Sequence, residues 1–187
     1  MAVVTNDVAE LALKHAIFQR TLYDGNATRR PESHYLDFLI GGHRLAHSLP
    51  IGPDMTTLLN RAWLPSVEGS VMELLGRRPT AGLDIGRIFL FVCGECGDLG
   101  CGAVTAAIEV GAERTTWSQF AWESGFEPAE PIDDAPASIT FRTADYEDVF
   151  ASAYRRVAAL PHDEDAHRVK SPLRPWRWGW RLPRDER

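Results

Sequence analysis

Long apolar segments are missing from this 187-residue sequence. No run approaches the roughly 18 apolar residues that a membrane-spanning helix requires. The N-terminal segment also lacks the basic start, apolar centre and small-residue cleavage site of a secretory signal. The apolar content of 44% and the charged content of 25% are both typical of globular proteins. These features predict a water-soluble, cytoplasmic protein without membrane insertion.

Cysteine is scarce, and its distribution excludes a disulfide-stapled secreted domain. The three cysteines lie within nine residues of one another, in one segment. An odd, clustered set favours reduced thiols in an intracellular protein.

Two common catalytic signatures are also missing: there is no Gly-x-Ser-x-Gly elbow, and no Walker-type lysine accompanies the glycine-rich segment.

Basic residues are few in the body of the chain and concentrated at its end. Residues 168–187 carry seven basic and two acidic groups, a net charge of +5. Because the whole chain has a net charge of −6, residues 1–167 carry −11. We predict one domain over 1–167 and a basic tail over 168–187. So acidic a body repels polyanions, which confines any binding of nucleic acid to the tail.

The tail alternates tryptophan with arginine. Both residue types dominate interaction hot spots, so the tail is a candidate site for a protein partner. An alternative is a terminal strand that docks on the acidic body, with its tryptophans buried at period two and its arginines outward. The candidate partner-binding residues are Trp176, Arg177, Trp178 and Trp180.

Hydrophobic periodicity predicts the elements of the first half of the chain. Apolar residues at alternating steps of three and four predict a helix over 4–22. An apolar run over 35–40 predicts a strand, and Gly41-Gly42 favours a tight turn into a returning extended segment over 45–49. Ser66 is expected to cap a helix that Gly76 terminates.

The second half of the chain reads as a meander followed by a helix. Apolar or aromatic runs predict strands over 88–92, 103–110 and 117–122, with a further short strand over 138–141. Helical spacing extends from Asp145 to Leu160, where Pro161 follows. This order predicts an α+β fold with a mostly antiparallel sheet and helices on one face.

The cysteine loop, at the tip of the predicted 88–110 hairpin, is the most chemically specific feature of the sequence. Cys93, Cys96 and Cys101 are separated by glycines, which let the chain curl and point three thiols inward. Zinc takes four tetrahedral ligands, so Asp98 within the loop is a candidate fourth ligand. The loop is therefore a candidate metal site, with Zn²⁺ as the candidate ion and Cys93, Cys96, Cys101 and Asp98 as the candidate ligands.

Two other interpretations of the loop stay open. The cysteines could pack as small apolar groups in a purely structural tip. Alternatively, Cys93 and Cys96 could form a redox dithiol, although nearby carboxylates at Glu95 and Asp98 raise thiol pKa values and disfavour that chemistry. His43 and His47 are distant in sequence, and an extended segment would hold them apart, so we expect exposed polar residues there.

The loop also resembles sequences from a known group. The string Cys-Gly-Asp-Leu-Gly-Cys-Gly-Ala over 96–103 is similar to the core of a group of uncharacterised bacterial proteins. The resemblance covers this central part of the chain. It implies a bacterial source and a recurring loop, and it transfers no catalytic residue.

Two functional hypotheses follow from the sequence. The first is a non-catalytic protein-binding domain, such as an immunity-type or adaptor protein, with a structural or metal-binding cysteine loop. The second is a thiol- or metal-dependent enzyme, similar to an oxidoreductase, centred on the same three cysteines.

Overall fold

The structure is a computed structural model, which describes residues 8–19, 22–24, 27–29 and 32–162. Eleven strands and three α-helices make up these parts of the chain. The strands are β1 (Leu11–Gln19), β2 (Leu22–Asp24), β3 (Ala27–Arg29), β4 (Glu32–Ile40), β5 (His43–Arg44), β6 (Met55–Thr56), β7 (Arg87–Cys93), β8 (Ala103–Val110), β9 (Arg114–Glu123), β10 (Glu130–Pro131) and β11 (Ser138–Arg142). The helices are α1 (Leu64–Leu74), α2 (Thr143–Ala151) and α3 (Ala153–Ala158).

The strands form one larger and two smaller sheets, and each pairing among the described residues is antiparallel. The larger sheet has the order β10-β9-β8-β7-β6, and β11 also pairs with β9. A second sheet has the order β1-β4-β5, and β2 pairs with β3. This arrangement confirms the predicted α+β class with mostly antiparallel strands.

Hydrogen bonds connect the β1-β4-β5 sheet to β11 on one side and to the segment after β6 on the other. The backbone N–H of Ala9, just before β1, donates to the carbonyl of Thr140 in β11 at 2.7 Å. On the other side, the N–H of Leu36 in β4 donates to the carbonyl of Leu59 at 2.9 Å, shortly after β6. Both sheets therefore enclose one core, which draws buried residues from each of them and from the helices.

Aromatic rings occupy the centre of that core. Trp117 in β9 is fully buried and packs edge to face against Phe38 in β4, with ring centroids 5.4 Å apart. The Trp117 indole N–H donates to the hydroxyl of Tyr146 in α2 at 3.1 Å, and that hydroxyl donates to the carbonyl of Leu74 at the end of α1. One chain of contacts thus joins the sheet to two helices.

The predicted N-terminal helix over 4–22 is wrong where the structure describes it. Residues Leu11–Gln19 form β1, which pairs with β4 in continuous register from Leu11 opposite Ile40 to Gln19 opposite Glu32. β4 is buried along most of its length, so the backbone N–H and C=O groups on its edge need hydrogen-bond partners, which a neighbouring strand supplies. That long-range pairing outweighs the helical spacing of a segment that also contains β-branched and aromatic residues.

Other predicted elements are confirmed with altered bounds. Gly41 and Gly42 form the expected tight turn with φ of +56° and +82°, but the returning segment becomes a 3₁₀ helix over Leu45–Ser48 after only two strand residues. The helix that was expected to start at Ser66 begins at Leu64, with a proline at its first turn. A turn at Ser152 divides the last predicted helix into α2 and α3.

The strands of the predicted meander are confirmed most closely. The 88–92 run lies within β7, the bounds of β8 are those predicted for its return strand, and the aromatic segment lies within β9. The basic tail over 168–187 and the end of the predicted domain lie outside the described residues. Within the described residues, no helix is long and apolar enough to cross a membrane.

The buried hydroxyl of Tyr146 supplies the first test of this architecture. Tyr146→Phe leaves the Trp117 N–H and the Leu74 carbonyl without this partner, so we expect the free energy of unfolding to fall by about 1–3 kcal/mol. Urea denaturation followed by tryptophan fluorescence measures the change. Tyr154→Phe is the matched control, because the Tyr154 side chain is 47% exposed and its loss should cost less than about 0.5 kcal/mol. Equal stability of both variants would contradict the assignment.

Candidate metal centre at the cysteine loop

The cysteine loop connects β7 to β8 and is anchored at its first residues. Cys93 ends β7 and pairs with Met55 of β6. The N–H of Gly94 donates to the carbonyl of Asp54 at 2.8 Å, and the N–H of Gly97 donates back to the carbonyl of Cys93 at 2.8 Å. Cys93 is therefore held both by the sheet and by the turn that follows it.

A short 3₁₀ helix over Leu99–Cys101 shapes the second half of the loop. Asp98 caps this helix, because its Oδ1 accepts a hydrogen bond from the N–H of Gly100 at 2.8 Å. The N–H of Cys101 donates to the carbonyl of Asp98 at 3.1 Å. These bonds turn the chain back so that Cys101 faces Cys96.

The three thiols meet, as the sequence predicts. The sulfurs of Cys93, Cys96 and Cys101 all lie within 4.8 Å of one another, and the Sγ atoms of Cys96 and Cys101 are 3.3 Å apart. Cys93 and Cys96 are half-buried, whereas Cys101 is exposed. The group is close enough to hold a metal ion, with one side open to solvent.

Aromatic side chains pack closely against the loop. The ring of Trp63 lies beside Gly97, and the ring of Phe18 in β1 lies beside Gly94. Gly102 has φ of +89°, and a Cβ at this position would collide with the ring of Trp122. Only glycine suits Gly102, because both its backbone angle and its space exclude a side chain. These contacts limit the freedom of the chain around the thiols.

A shielded ion pair secures the strands that carry the loop. The Nε of Arg87 in β7 lies 2.6 Å from Oε1 of Glu123 in β9, and the two side chains are only 11% and 13% exposed. Thr105 of β8, between them, donates to the same carboxylate oxygen at 2.6 Å. The bond network therefore connects β7, β8 and β9, the strands on either side of the loop and their neighbour.

The environment of Cys96 disfavours a free thiolate. Burial raises the pKa of Cys96 to about 12, a hydrogen bond from the backbone of Asp98 opposes that rise, and the neighbouring thiols of Cys101 and Cys93 add to it. The Cys96 thiol is consequently protonated at neutral pH. A nucleophilic cysteine requires the opposite, whereas a bound divalent cation would itself deprotonate the thiol.

The remaining candidate residues occupy different places. Asp98 lies in the loop, but the group of mutually close ligand atoms consists of the three thiols alone, so its role as fourth ligand stays a prediction. His43 in β5 and His47 in the 3₁₀ helix over Leu45–Ser48 are both exposed, as expected, and neither belongs to this group. The candidate partner-binding residues of the tail, from Trp176 to Trp180, lie outside the described residues.

One exposed aromatic residue beside the loop escaped the sequence analysis. Phe126 is 84% exposed, and a Cβ on Gly100 would lie 3.5 Å from its ring. The side chain of Leu99 packs between Gly82 and Gly125, which ties the cysteine loop to the segment that carries Phe126. The sequence does contain a signal for this exposure. Phe126 stands alone between a glycine and a glutamate, in a stretch without strand periodicity.

The raised pKa of Cys96 predicts an unusual pH profile of alkylation. In the reduced, metal-free protein, modification of Cys96 by iodoacetamide should be slow at pH 8 and should keep increasing through pH 10, because only the thiolate reacts. Peptide mass spectrometry after timed quenching measures each cysteine separately, and exposed Cys101 serves as the internal comparison. A rate for Cys96 that levels off near pH 9, as an ordinary thiol does, would contradict this environment.

Comparisons with known proteins add no assignment to this geometry. No protein-family model matches the chain, and neither a curated protein nor a solved structure matches it significantly. The resemblance of the loop to a bacterial group consequently stays a prediction. The chemistry of the site follows from its own residues.

Proposed function

We propose that the protein is a non-catalytic protein-binding domain, of the adaptor or immunity type, whose three cysteines bind a zinc ion. The ion stabilises the loop that supports an exposed binding surface around Phe126. The observation that carries the proposal is the convergence of three thiols in a loop whose Gly100 lies against this exposed aromatic residue.

Zinc suits the group of ligands. Thiolate sulfurs bind zinc at about 2.3 Å, so two sulfurs on one tetrahedral ion lie about 3.8 Å apart. The three cysteine sulfurs lie within 4.8 Å of one another, and small rotations would bring them to that spacing. Cys93, Cys96 and Cys101 would hold the ion, and Asp98 or a water molecule would complete the tetrahedron.

The electrostatics of the loop favour a structural ion over thiol catalysis. The raised pKa of Cys96 makes it a poor nucleophile at neutral pH. Within the described residues, the close group contains three thiols and no imidazole that could act as a base. When a metal ion displaces the proton of a half-buried thiol, the positive charge of the ion stabilises the thiolate that binds it.

The surface beside the loop has the composition of a protein-binding site. Phe126 is 84% exposed, and the neighbouring Gly125 lies against Leu99 of the cysteine loop. The exposed acidic residue Glu127 is its neighbour in sequence. A partner that offers an apolar contact surrounded by basic residues would complement this surface.

Zinc binding is tested by metal content and thermal stability together. Wild-type protein purified under reducing conditions should contain one zinc per chain. At a free zinc concentration 100-fold above the Kd, binding should stabilise the fold by about 2.7 kcal/mol. For a chain of this size, the gain corresponds to roughly 5–10 °C in Tm. Cys96→Ser should lose both the ion and the stabilisation.

A chelator separates loss of metal from general damage to the fold. Chelator should lower the Tm of the wild type and leave that of Cys96→Ser unchanged, because the variant has no ion to lose. Asp98→Asn preserves the capping oxygen and tests the fourth ligand: weaker zinc binding would support Asp98, and unchanged binding would favour water. A wild type without metal, and with a Tm that zinc does not alter, would refute the zinc centre.

The binding surface is tested by quantitative affinity capture in cells that express the protein. Phe126→Ala should lose a partner that the wild type retains, because truncation of an aromatic hot spot typically costs 2 kcal/mol or more, about a 30-fold loss of affinity. Tyr154→Ala is the control, since it removes another exposed aromatic ring from α3, away from the loop. A partner that Phe126→Ala retains at wild-type levels would contradict the proposed surface.

A further inference from the structure

We propose that Cys96 and Cys101 form a reversible disulfide when the protein meets a low-molecular-weight disulfide such as oxidised glutathione, and that this bond releases the metal ion. The release rests on the proposed zinc site, whereas the disulfide itself does not. The cysteine loop would then act as a redox-sensitive site.

The sulfurs of Cys96 and Cys101 are in contact, and the Cys93 sulfur lies within 4.8 Å of both, so the choice of pair rests on this contact together with the anchoring of each cysteine. A Cys-x2-Cys motif points to Cys93 and Cys96 as the dithiol. In the structure, however, the sulfurs of Cys96 and Cys101 already lie 3.3 Å apart. A disulfide bond is about 2.05 Å long, so these sulfurs need to approach by only about 1.3 Å.

The two ends of the loop also differ in how firmly they are held. Cys93 belongs to β7, pairs with Met55 and accepts a further hydrogen bond from Gly97. Cys101 lies at the end of a three-residue 3₁₀ helix, between two glycines, and its side chain is exposed. A solvent-borne oxidant therefore reaches Cys101 first, and Cys101 has the greater freedom to approach Cys96.

The exchange balances as two thiol–disulfide steps. The Cys101 thiolate attacks one sulfur of oxidised glutathione, breaks its S–S bond and releases one glutathione thiolate. The Cys96 sulfur, already in contact with Cys101, then gives up its proton to solvent, attacks the Cys101 sulfur and expels the second glutathione; because the pKa of Cys96 is raised, this is the slow step. Two protein thiols are oxidised, and one glutathione disulfide is reduced to two thiols.

Disulfide formation would remove two of the three sulfur ligands at once. Cys93 alone cannot hold a structural zinc ion, because such sites require four ligands fixed in a tetrahedron. The ion would leave, and the loop beside Phe126 would be held by a covalent bond instead. Reduction by free glutathione reverses the step and restores the ligand group.

The site of the bond is tested first on the wild-type, full-length protein. The chelator-treated protein is incubated without oxygen at a series of ratios of oxidised to reduced glutathione, quenched with acid, alkylated and mapped by mass spectrometry. The expected product is a peptide pair joined through Cys96 and Cys101, with Cys93 alkylated. A bond between Cys93 and either other cysteine as the main product, or glutathione adducts without an internal bond, would overturn the proposal.

Two variants and the loaded protein then separate this inference from the zinc site. Cys93→Ser should still form the bond, and Cys96→Ser should stop at a glutathione adduct on Cys101. In zinc-loaded wild type, a chromogenic chelator should register release of the ion in step with the bond. If the protein binds no zinc, the peptide map still decides the disulfide; if zinc is bound and stays after the bond forms, the proposed release is wrong.

Discussion

Burial of Trp117 at the centre of the molecule is the constraint on which the rest of the structure depends. Its ring has no exposed surface, so its one polar group must find a partner within the protein. That partner is Tyr146, whose hydroxyl in turn reaches the end of α1 at Leu74. Two consecutive hydrogen bonds thereby link β9 to α2 and α2 to the end of α1.

Placement of the cysteines follows from the strands around this centre. β9 carries Trp117 on its buried side and Glu123 near its end, where Glu123 pairs with Arg87 across β8. The loop over 94–102 joins the ends of β7 and β8, which pair with each other from Val92 opposite Ala103. Gly102 lets the chain pass under the ring of Trp122 and return, which brings Cys101 back to Cys96.

The proposed zinc centre and the proposed redox response share one physical cause. A negative charge on one of three neighbouring, partly buried thiols is unfavourable. A bound cation neutralises that charge, and a covalent S–S bond removes it. Under the two proposals, the loop would have two stable arrangements, one with the bound ion and one with the disulfide. The exposed apolar surface and the cysteine chemistry would in that way be linked through Leu99 and its neighbours.

Local features of the sequence were sufficient to predict the elements whose signals lie within a few residues. The Gly41-Gly42 turn follows from backbone angles that other residues avoid. The hairpin of β7 and β8 follows from an unbroken apolar run and its return strand. Convergence of the three thiols follows from the same hairpin, because glycine-separated residues at a narrow tip have few other places to lie.

Tertiary structure decided the features that depend on distant partners. Residues 11–19 form a strand because the backbone N–H and C=O groups of β4 pair with them along nine residues. The spacing of apolar residues within 11–19 gives no information about this distant partner. The exposure of Phe126 and the contacts of Leu99 beside Gly82 and Gly125 likewise depend on how separate segments pack. Hydrophobic periodicity shows which face of a helix or strand is apolar. Which other segment covers that apolar face depends on the sum of contacts across the whole fold.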